Sequence, residues 1–440
     1  MITDKELDFV RQALEMARRA GAQHARATLS KSEEDLVATL DGEVDRVTHC
    51  ADRSLSLALF VDGRYGSYST NKLDTASLEG FIARAVAATH MVAEDPLRVL
   101  PDPARCCHDA LTGDELGLVD PARDSMTPAR RQQIALQASA FKSDPRIISE
   151  EGEYSDSVYD SVVMDTNGVC CRHSETSFDY GVEITIESEG EKYSGYWWDA
   201  SSRLAELDAA ACGREALSRA VGQIGSEPAP SGRYTAVIDA EMASKVVSPV
   251  LRALSGYAIQ QQNSFLPDSL GRQLFPEGLT ILDLPRIPGQ TCSKYFDSEG
   301  VATVEAPIIE AGVVKEYFIN SYMAGKLQMA PTVEDATRPK VLPWPCAGLD
   351  RDAILRRCGS GILVTDFNGG NSNPVTGDFS YGIEGYLFED GRIVRPVSGM
   401  LMTGNFLTLW SRLLAAGDDA RPCQTKLVPT LAFAEVDFSG

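Results

Sequence analysis
Five histidines, His24, His49, His90, His108 and His173, are the only imidazoles in the chain, and none lies beyond residue 173. A zinc peptidase needs two histidines on one helical face with a glutamate beside them. The nearest two here, His90 and His108, are 18 residues apart. Residues 174–440 therefore cannot build a two-histidine metal site from their own chain. Two clusters place thiols near an imidazole, Cys106-Cys107-His108 and Cys170-Cys171-Arg172-His173. Adjacent cysteines diverge and make poor joint ligands, and reactivity needs an electropositive setting. Buried or loop cysteine is the favoured reading, with a Cys–His nucleophile as the remainder.

Other catalytic signatures are missing. No G-x-S-x-G, G-x-x-x-x-G-K-[ST] or G-x-G-x-x-G occurs, so neither a nucleophile elbow nor a phosphate-cradling glycine loop is present. Carboxylates are plentiful. Asp297 and Glu299 form the most suggestive local pair, with Asp366 and Asp378 beside a glycine-rich run. Acidic residues next to glycine are more often turn formers, although a carboxylate pair also suits glycoside cleavage. Trp197-Trp198 offers a sugar platform or, with one ring inward, ordinary core.

The elements that must position these residues are readable from periodicity. Thr3 to Ala20 forms an amphipathic helix capped by Thr3 or Asp4. Strands follow at Ala25 to Ser30, Asp35 to Leu40, Leu55 to Val61 and Tyr65 to Ser69, and a helix at Leu73 to Met91 closes the unit (residues 1–94). Residues 95–127, rich in proline and aspartate, read as a linker. The order then repeats over 128–224. A helix opens at Thr127-Pro128 and runs to Phe141. Strands lie at Ile148 to Asp156, Ser161 to Thr166, Gly168 to Glu175, Phe178 to Glu189 and Tyr193 to Asp199, and a helix at Leu207 to Val221 ends the unit. The repeat points to an internal duplication.

Residues 225–440 are strand-and-turn dominated. One helix is expected at Ala240 to Leu254, kinked or ended by Pro249. Strands are expected at Thr280 to Asp283, Val301 to Glu305, Val313 to Asn320, Gly361 to Phe367 and Leu427 to Phe438. The stretch from Gly359 to Gly391 mixes dense glycine with alternating apolar residues (Phe379, Tyr381, Ile383; Tyr386, Phe388). Glycine inside strands marks bulges or close backbone approach. Two readings stand level: a barrel or sandwich with bent strands, and an edge that binds peptide. The expected class is α+β: two related helix–antiparallel-sheet–helix units, then a β-rich, glycine-rich carboxy-terminal domain.

Composition bounds the partners. A net charge of −22, with no run of basic residues, argues against nucleic acid and anionic membrane. No segment approaches the length of a spanning helix, the amino terminus lacks a signal peptide's apolar core, and the ten scattered cysteines fit a reducing compartment. A cytoplasmic location is expected.

The carboxy-terminal residues resemble the TldD/PmbA family, also called TldD/TldE or modulator of DNA gyrase proteins. The resemblance rests on SGYAIQQQNSFLPDSLG (255–271), YFDSEGVAT (295–303), IIEAGVVKEYFINSYMAGKL (308–327), GILVTDFNGGNSNPVTGDFSYGIEGYLFEDGRIVRPV (361–397) and GNFLTLWSRL (404–413). DGRYGSYSTN (62–71) extends it toward the amino terminus. The family's zinc subunit carries HExxxH just before the first of these segments. Counted back in register from Asn263-Ser264-Phe265, the motif positions are Val247, Ser248 and Arg252, so both ligands and the general base are replaced. Cys423 falls where metal-bearing members have a cysteine ligand, and a lone thiol holds zinc poorly.

The resemblance thus implies a PmbA/TldE-type subunit that binds no cofactor itself. Zinc would sit on a TldD-like paralogue with which it forms a heterodimer that processes small or unfolded peptides. A homodimer is the alternative assembly for the chain purified alone, and the sequence does not decide between that and a monomer. Asn263, Ser264, Asp297, Glu299, Gly369, Gly370, Asn371, Asp378 and Ser380 are the expected chamber or peptide-channel positions. Two rivals remain: a stand-alone peptide-binding scaffold, and a non-zinc hydrolase using Asp297 and Glu299.

Overall fold
Thr3 and Glu6 cap each other's backbone N–H groups at the start of the first helix, α1 (Asp4–Arg19), whose Leu7, Val10, Ala13, Leu14 and Ala17 are buried. The computed structural model describes all 440 residues. After α1 come β1 (His24–Leu40), β2 (Glu43–Val61), β3 (Arg64–Thr70) and α2 (Thr75–Thr89). The order repeats as α3 (Pro128–Ala138), β4 (Ile147–Asp165), β5 (Cys170–Ser188), β6 (Glu191–Ser201) and α4 (Ala209–Gly222). The two units share one antiparallel sheet of order β3-β2-β1-β4-β5-β6, in which β1 pairs with β4 from Arg26↔Asp165 to Leu40↔Glu151.

Six expected strands are therefore halves of three longer ones: Ala25 to Ser30 and Asp35 to Leu40 are both β1, and β4 and β5 likewise run unbroken through two expected strands each. The helices cover a single face. α1 and α2 pack on Leu29, Leu55, Leu57, Leu59, Val162 and Met164, while α3 and α4 pack on Val37, Tyr154, Tyr180, Val182 and Ile184. Between these cores the same face carries charge, with Arg123 and Arg131 set against Asp35 and Asp156. Residues 95–127 contain two short 3-10 helices, Pro103–Arg105 and Pro121–Ser125, and no longer element, yet Cys106 and Cys107 are buried and the Cys107 N–H donates to the Gly300 carbonyl.

The remaining chain forms β7 (Gly232–Ile238), α5 (Ser244–Ala253), α6 (Gly256–Gln260), β8 (Ile281–Asp283), β9 (Ala306–Glu310), β10 (Val313–Val314), α7 (Ser321–Leu327) and β11 (Pro339–Val341). It ends with α8 (Arg351–Cys358), β12 (Gly361–Ser372), β13 (Asp378–Glu389), β14 (Arg392–Asn405), α9 (Phe406–Ser411), β15 (Leu413–Ala416) and β16 (Leu431–Ser439). One sheet runs β14-β13-β12-β7-β16-β15, and β14 pairs again with β16, so five strands close into a ring. β8 to β11 make a second, four-stranded sheet. The molecule is α+β.

α5 does not end or break at Pro249. A proline in a helix costs about 3 kcal/mol. Burying Val246, Val247, Val250 and Leu251 outweighs it at about 1.5–3 kcal/mol each. Val301 to Glu305 is not a strand, since only Val301 and Ala302 make isolated bridges, and the strand expected at Val313 to Asn320 stops at Val314. No helix is long and apolar enough to cross a membrane.

Candidate functional site
α5 and β12 face each other across a cavity of about 300 Å³. Its wall includes Ser248 and Arg252, two of the three positions aligned with the zinc motif. Asn263, Gly370 and Asn371 join them from the expected channel set. Val247 does not reach it: the side chain is fully buried in the core, one position round the helix from Ser248. The other charged lining residue is Lys245, whose ammonium lies 5.6 Å from the Tyr381 ring centre.

The β12 wall has one unpaired edge. β7 pairs with β12 only from Ile362 to Val364. From Asp366 to Ser372 the strand is bonded to β13 on its other side alone. β13 is paired on both sides, so Asp378 and Ser380 do not belong to an open edge: Ser380 faces Asn371 and Thr403. The Asp378 carboxylate accepts from Thr376 Oγ1 (2.7 Å) and Asn405 Nδ2 (2.9 Å), contacts that hold its pKa below the ordinary value. Gly370 has φ +93°, and a Cβ there would collide with the Ser380 carbonyl. The level readings of the glycine stretch meet here, because the ring of strands needs the glycines and β12 also leaves an edge free.

Ser264 is structural: its hydroxyl donates to Ala253 O (2.6 Å) and accepts from Leu266 N–H (3.0 Å), tying down the end of α5. Asp297 lies in a different cavity, of about 500 Å³, together with Tyr159, His173, Glu175 and Cys292. Burial, with Glu334 and Glu299 nearby, pushes its pKa up to about 7. The Asp297 carboxylate accepts three backbone N–H groups, from Glu299, Val301 and Glu334. Glu299 accepts the N–H of Ser321 at the start of α7 (2.8 Å) and lies 3.9 Å from Arg26. These two carboxylates hold loops, and they do not converge on a shared space.

The remaining candidates also find structural employment. Arg219 and Arg421 stack on Trp197, and Trp198 donates to Glu241 at 2.6 Å. Cys171 Sγ contacts the Cys107 carbonyl, and neither histidine of the Cys–His clusters bonds a thiol. Cys423 lies outside the α5–β12 cavity, its thiol pushed up to about 11 by burial. Glu33, Asp35 and His49 lie close enough to share an ion, but Arg123 already contacts both carboxylates.

The α5–β12 cavity contains no imidazole, thiol or carboxylate. Its donors are hydroxyls, amides, backbone and two cations, a set that does not fit zinc. The sequence flagged part of this wall through Ser248, Arg252, Asn263, Gly370 and Asn371. Lys245 was missed, and its position one turn before the aligned pair would have marked it.

Family models match three consecutive regions: PmbA/TldA metallopeptidase domain 1 (residues 25–89), central domain (122–224) and C-terminal domain (231–440). The chain is 27% identical to Metalloprotease PmbA of Escherichia coli O157:H7, covering 97% of this chain and 95% of that one. It is 26% identical to the Metalloprotease PmbA homolog of Haemophilus influenzae, over 92% and 90%. A Bacteroides thetaiotaomicron crystal structure carrying the name modulator of DNA gyrase superposes with a TM-score of 0.95 at 37% identity, covering all of both chains. TldE from Thermococcus kodakarensis has the same fold (TM-score 0.85, 17% identity, 98% of this chain and 100% of that one).

Proposed function
The chain belongs to the PmbA/TldA metallopeptidase family, and from that premise we propose that it is a non-catalytic, TldE/PmbA-like subunit of a cytoplasmic protease complex. A TldD-like paralogue supplies the zinc, and small or unfolded peptides are the substrate. The observation that carries this reading is the wall of the α5–β12 cavity. It has the shape of a site and carries two of the three positions aligned with the zinc motif, Ser248 and Arg252, but no group able to ligate zinc or act as general base.

This subunit's own residues would bind and orient peptide. The free edge of β12 offers backbone N–H and C=O groups to an extended chain, a mode of recognition that reads little sequence. Lys245 and Arg252 add positive charge to a cavity within an otherwise acidic protein, which favours a peptide carboxylate. The stand-alone carboxylate hydrolase finds no support in Asp297 and Glu299, whose oxygens are occupied by backbone N–H groups.

The test is to purify the chain and assay bound zinc and peptide hydrolysis, alone and mixed with a histidine-bearing relative. Cleavage is expected only in the mixture. Zinc-dependent hydrolysis by the pure chain alone would end the proposal.

A further inference from the structure
Helices cover one face of the six-stranded sheet, and loops of the carboxy-terminal domain cross part of the other. The cavity of about 500 Å³ that contains Asp297 lies between that second face and residues 292–298 and 334–337. Strand alternation sets its floor: on β5, His173 stands opposite Ser161 of β4, and Glu175 opposite Tyr159. The His173 side chain is only 8% exposed. Its Nε2 lies 3.5 Å from a Glu175 oxygen, yet it hydrogen-bonds neither that oxygen nor any other group. A buried polar atom without a partner is costly and asks for an explanation. At the rim Asp335 is exposed, while Glu334 already accepts from the Ser298 N–H and hydroxyl. No lysine or arginine forms an ion pair with Glu175 or Asp335.

We propose that this cavity binds an aliphatic diamine, with one ammonium between Glu175 and His173 Nε2 on the floor and the other beside Asp335 at the rim. An ammonium brings three N–H donors and no acceptor. It complements two unpaired carboxylates and an imidazole nitrogen that lacks a partner. The wall holds four carboxylates against one lysine, Lys294, and such a cleft concentrates cations. Val163, Phe296 and Ala336 in the same wall offer apolar contact to the methylene groups. Asp297 is committed to its three backbone N–H groups and stays outside the binding set. A metal ion fits the cavity less well. No three of its imidazole, thiol and carboxylate groups bring ligand atoms within 4.8 Å of one another.

The inference does not depend on the proposed function, and its readout is binding to the full chain. Isothermal titration calorimetry with 1,4-diaminobutane at low salt should show one site per chain. 1-Aminobutane, which lacks the second ammonium, should bind about five-fold more weakly. Glu175→Gln should weaken the diamine about ten-fold or more, and His173→Phe about five-fold. Lys294 is exposed and its ammonium makes no contact within the chain, so Lys294→Ala leaves the fold alone. By removing a like charge it should tighten the diamine about five-fold. Thermal unfolding confirms that each variant folds. Absence of diamine binding, a monoamine that binds as tightly, weaker binding by Lys294→Ala, or tighter binding by His173→Phe would overturn it. The last result would mean that a protonated His173 already neutralises Glu175.

Discussion

Asp35 on β1 and Asp156 on β4 stand directly opposite one another, and Arg131 bridges them. Its Nη2 lies 2.8 Å from Asp35 Oδ2, and its Nε donates to Asp156 Oδ2 at 2.7 Å. Arg123 adds a second cation, 2.8 Å from Asp35 and 2.5 Å from Asp156. Two aspartates facing each other would repel. The two guanidiniums turn that repulsion into the joint between the halves of the sheet. Asp156 is fully buried, so removing it leaves two largely buried guanidiniums sharing Asp35 as their main counter-charge. Asp156→Ala should cost about 3–5 kcal/mol, read as a lower urea midpoint. Glu153→Ala, at the exposed pair with Arg46, should cost under about 1 kcal/mol. Equal losses for the two would remove the joint's claimed role.

Gly385 on β13 lies where a Cβ would collide with the Leu363 carbonyl of β12. The clash is with backbone inside a paired ladder, so no rotamer change relieves it. Gly385→Ala should destabilise the carboxy-terminal ring by more than about 3 kcal/mol. Gly348, with φ +77° and nothing within 4 Å of a built Cβ, should lose only about 1 kcal/mol on the same change. Chemical denaturation of the two variants checks the ranking. A tolerant Gly385 would mean that strand spacing is not what selects glycine there.

The charged joint also explains which parts of the fold were legible. The start of β1, Ala25-Arg26-Ala27-Thr28-Leu29-Ser30, alternates apolar and polar and reads as a strand, as does the apolar run Val162-Val163-Met164 at the end of β4. Their middles carry Lys31, Glu33 and Asp35, then Asp156 and Asp160, on the very face that the helices cover. Periodicity depends on hydrophobic burial, so it lapses where burial is paid in ion pairs, and single long strands read as two short ones. The helices were legible because caps and apolar stripes are local. The closure of β14 onto β16 was not, since it is a non-local pairing that no short window encodes. At the site, glycine and asparagine in β12 pointed to the cavity wall, while Asp297 and Glu299 drew attention for a turn-forming role.

Asp297 should leave a mark on stability against pH. An unfolded aspartate titrates near about 3.9, whereas burial, reinforced by Glu334, raises this one to about 7 in the folded chain. Between these values the folded state keeps a proton that the unfolded state has released. The group's contribution to stability is thus greatest below the unfolded value and declines as pH rises toward 7. Each tenfold difference in proton affinity carries about 1.4 kcal/mol. Asp297→Asn should flatten that decline between pH 5 and pH 8 relative to wild type, as followed by Tm. Parallel curves for the two proteins would show that Asp297 is ionised throughout.

Lys245 and Arg252 are the only charged side chains lining the α5–β12 cavity, and both lie on α5 facing the free edge of β12. A peptide laid along that edge would bring its carboxylate toward them if it ended in the cavity. Both cations are exposed, so their attraction is partly screened and each is worth about 1 kcal/mol. Arg252→Ala should then weaken binding of a short free-acid peptide roughly five-fold, and Lys245→Ala,Arg252→Ala roughly twenty-fold or more. The same peptide amidated at its end should bind wild type and variants alike. Raising salt from low to high concentration should close the gap between acid and amide. Fluorescence anisotropy with the full chain measures all three. If the amidated peptide binds wild type as tightly as the acid, the two cations serve something other than a carboxylate, and the peptide's direction along β12 must be argued from backbone pairing alone.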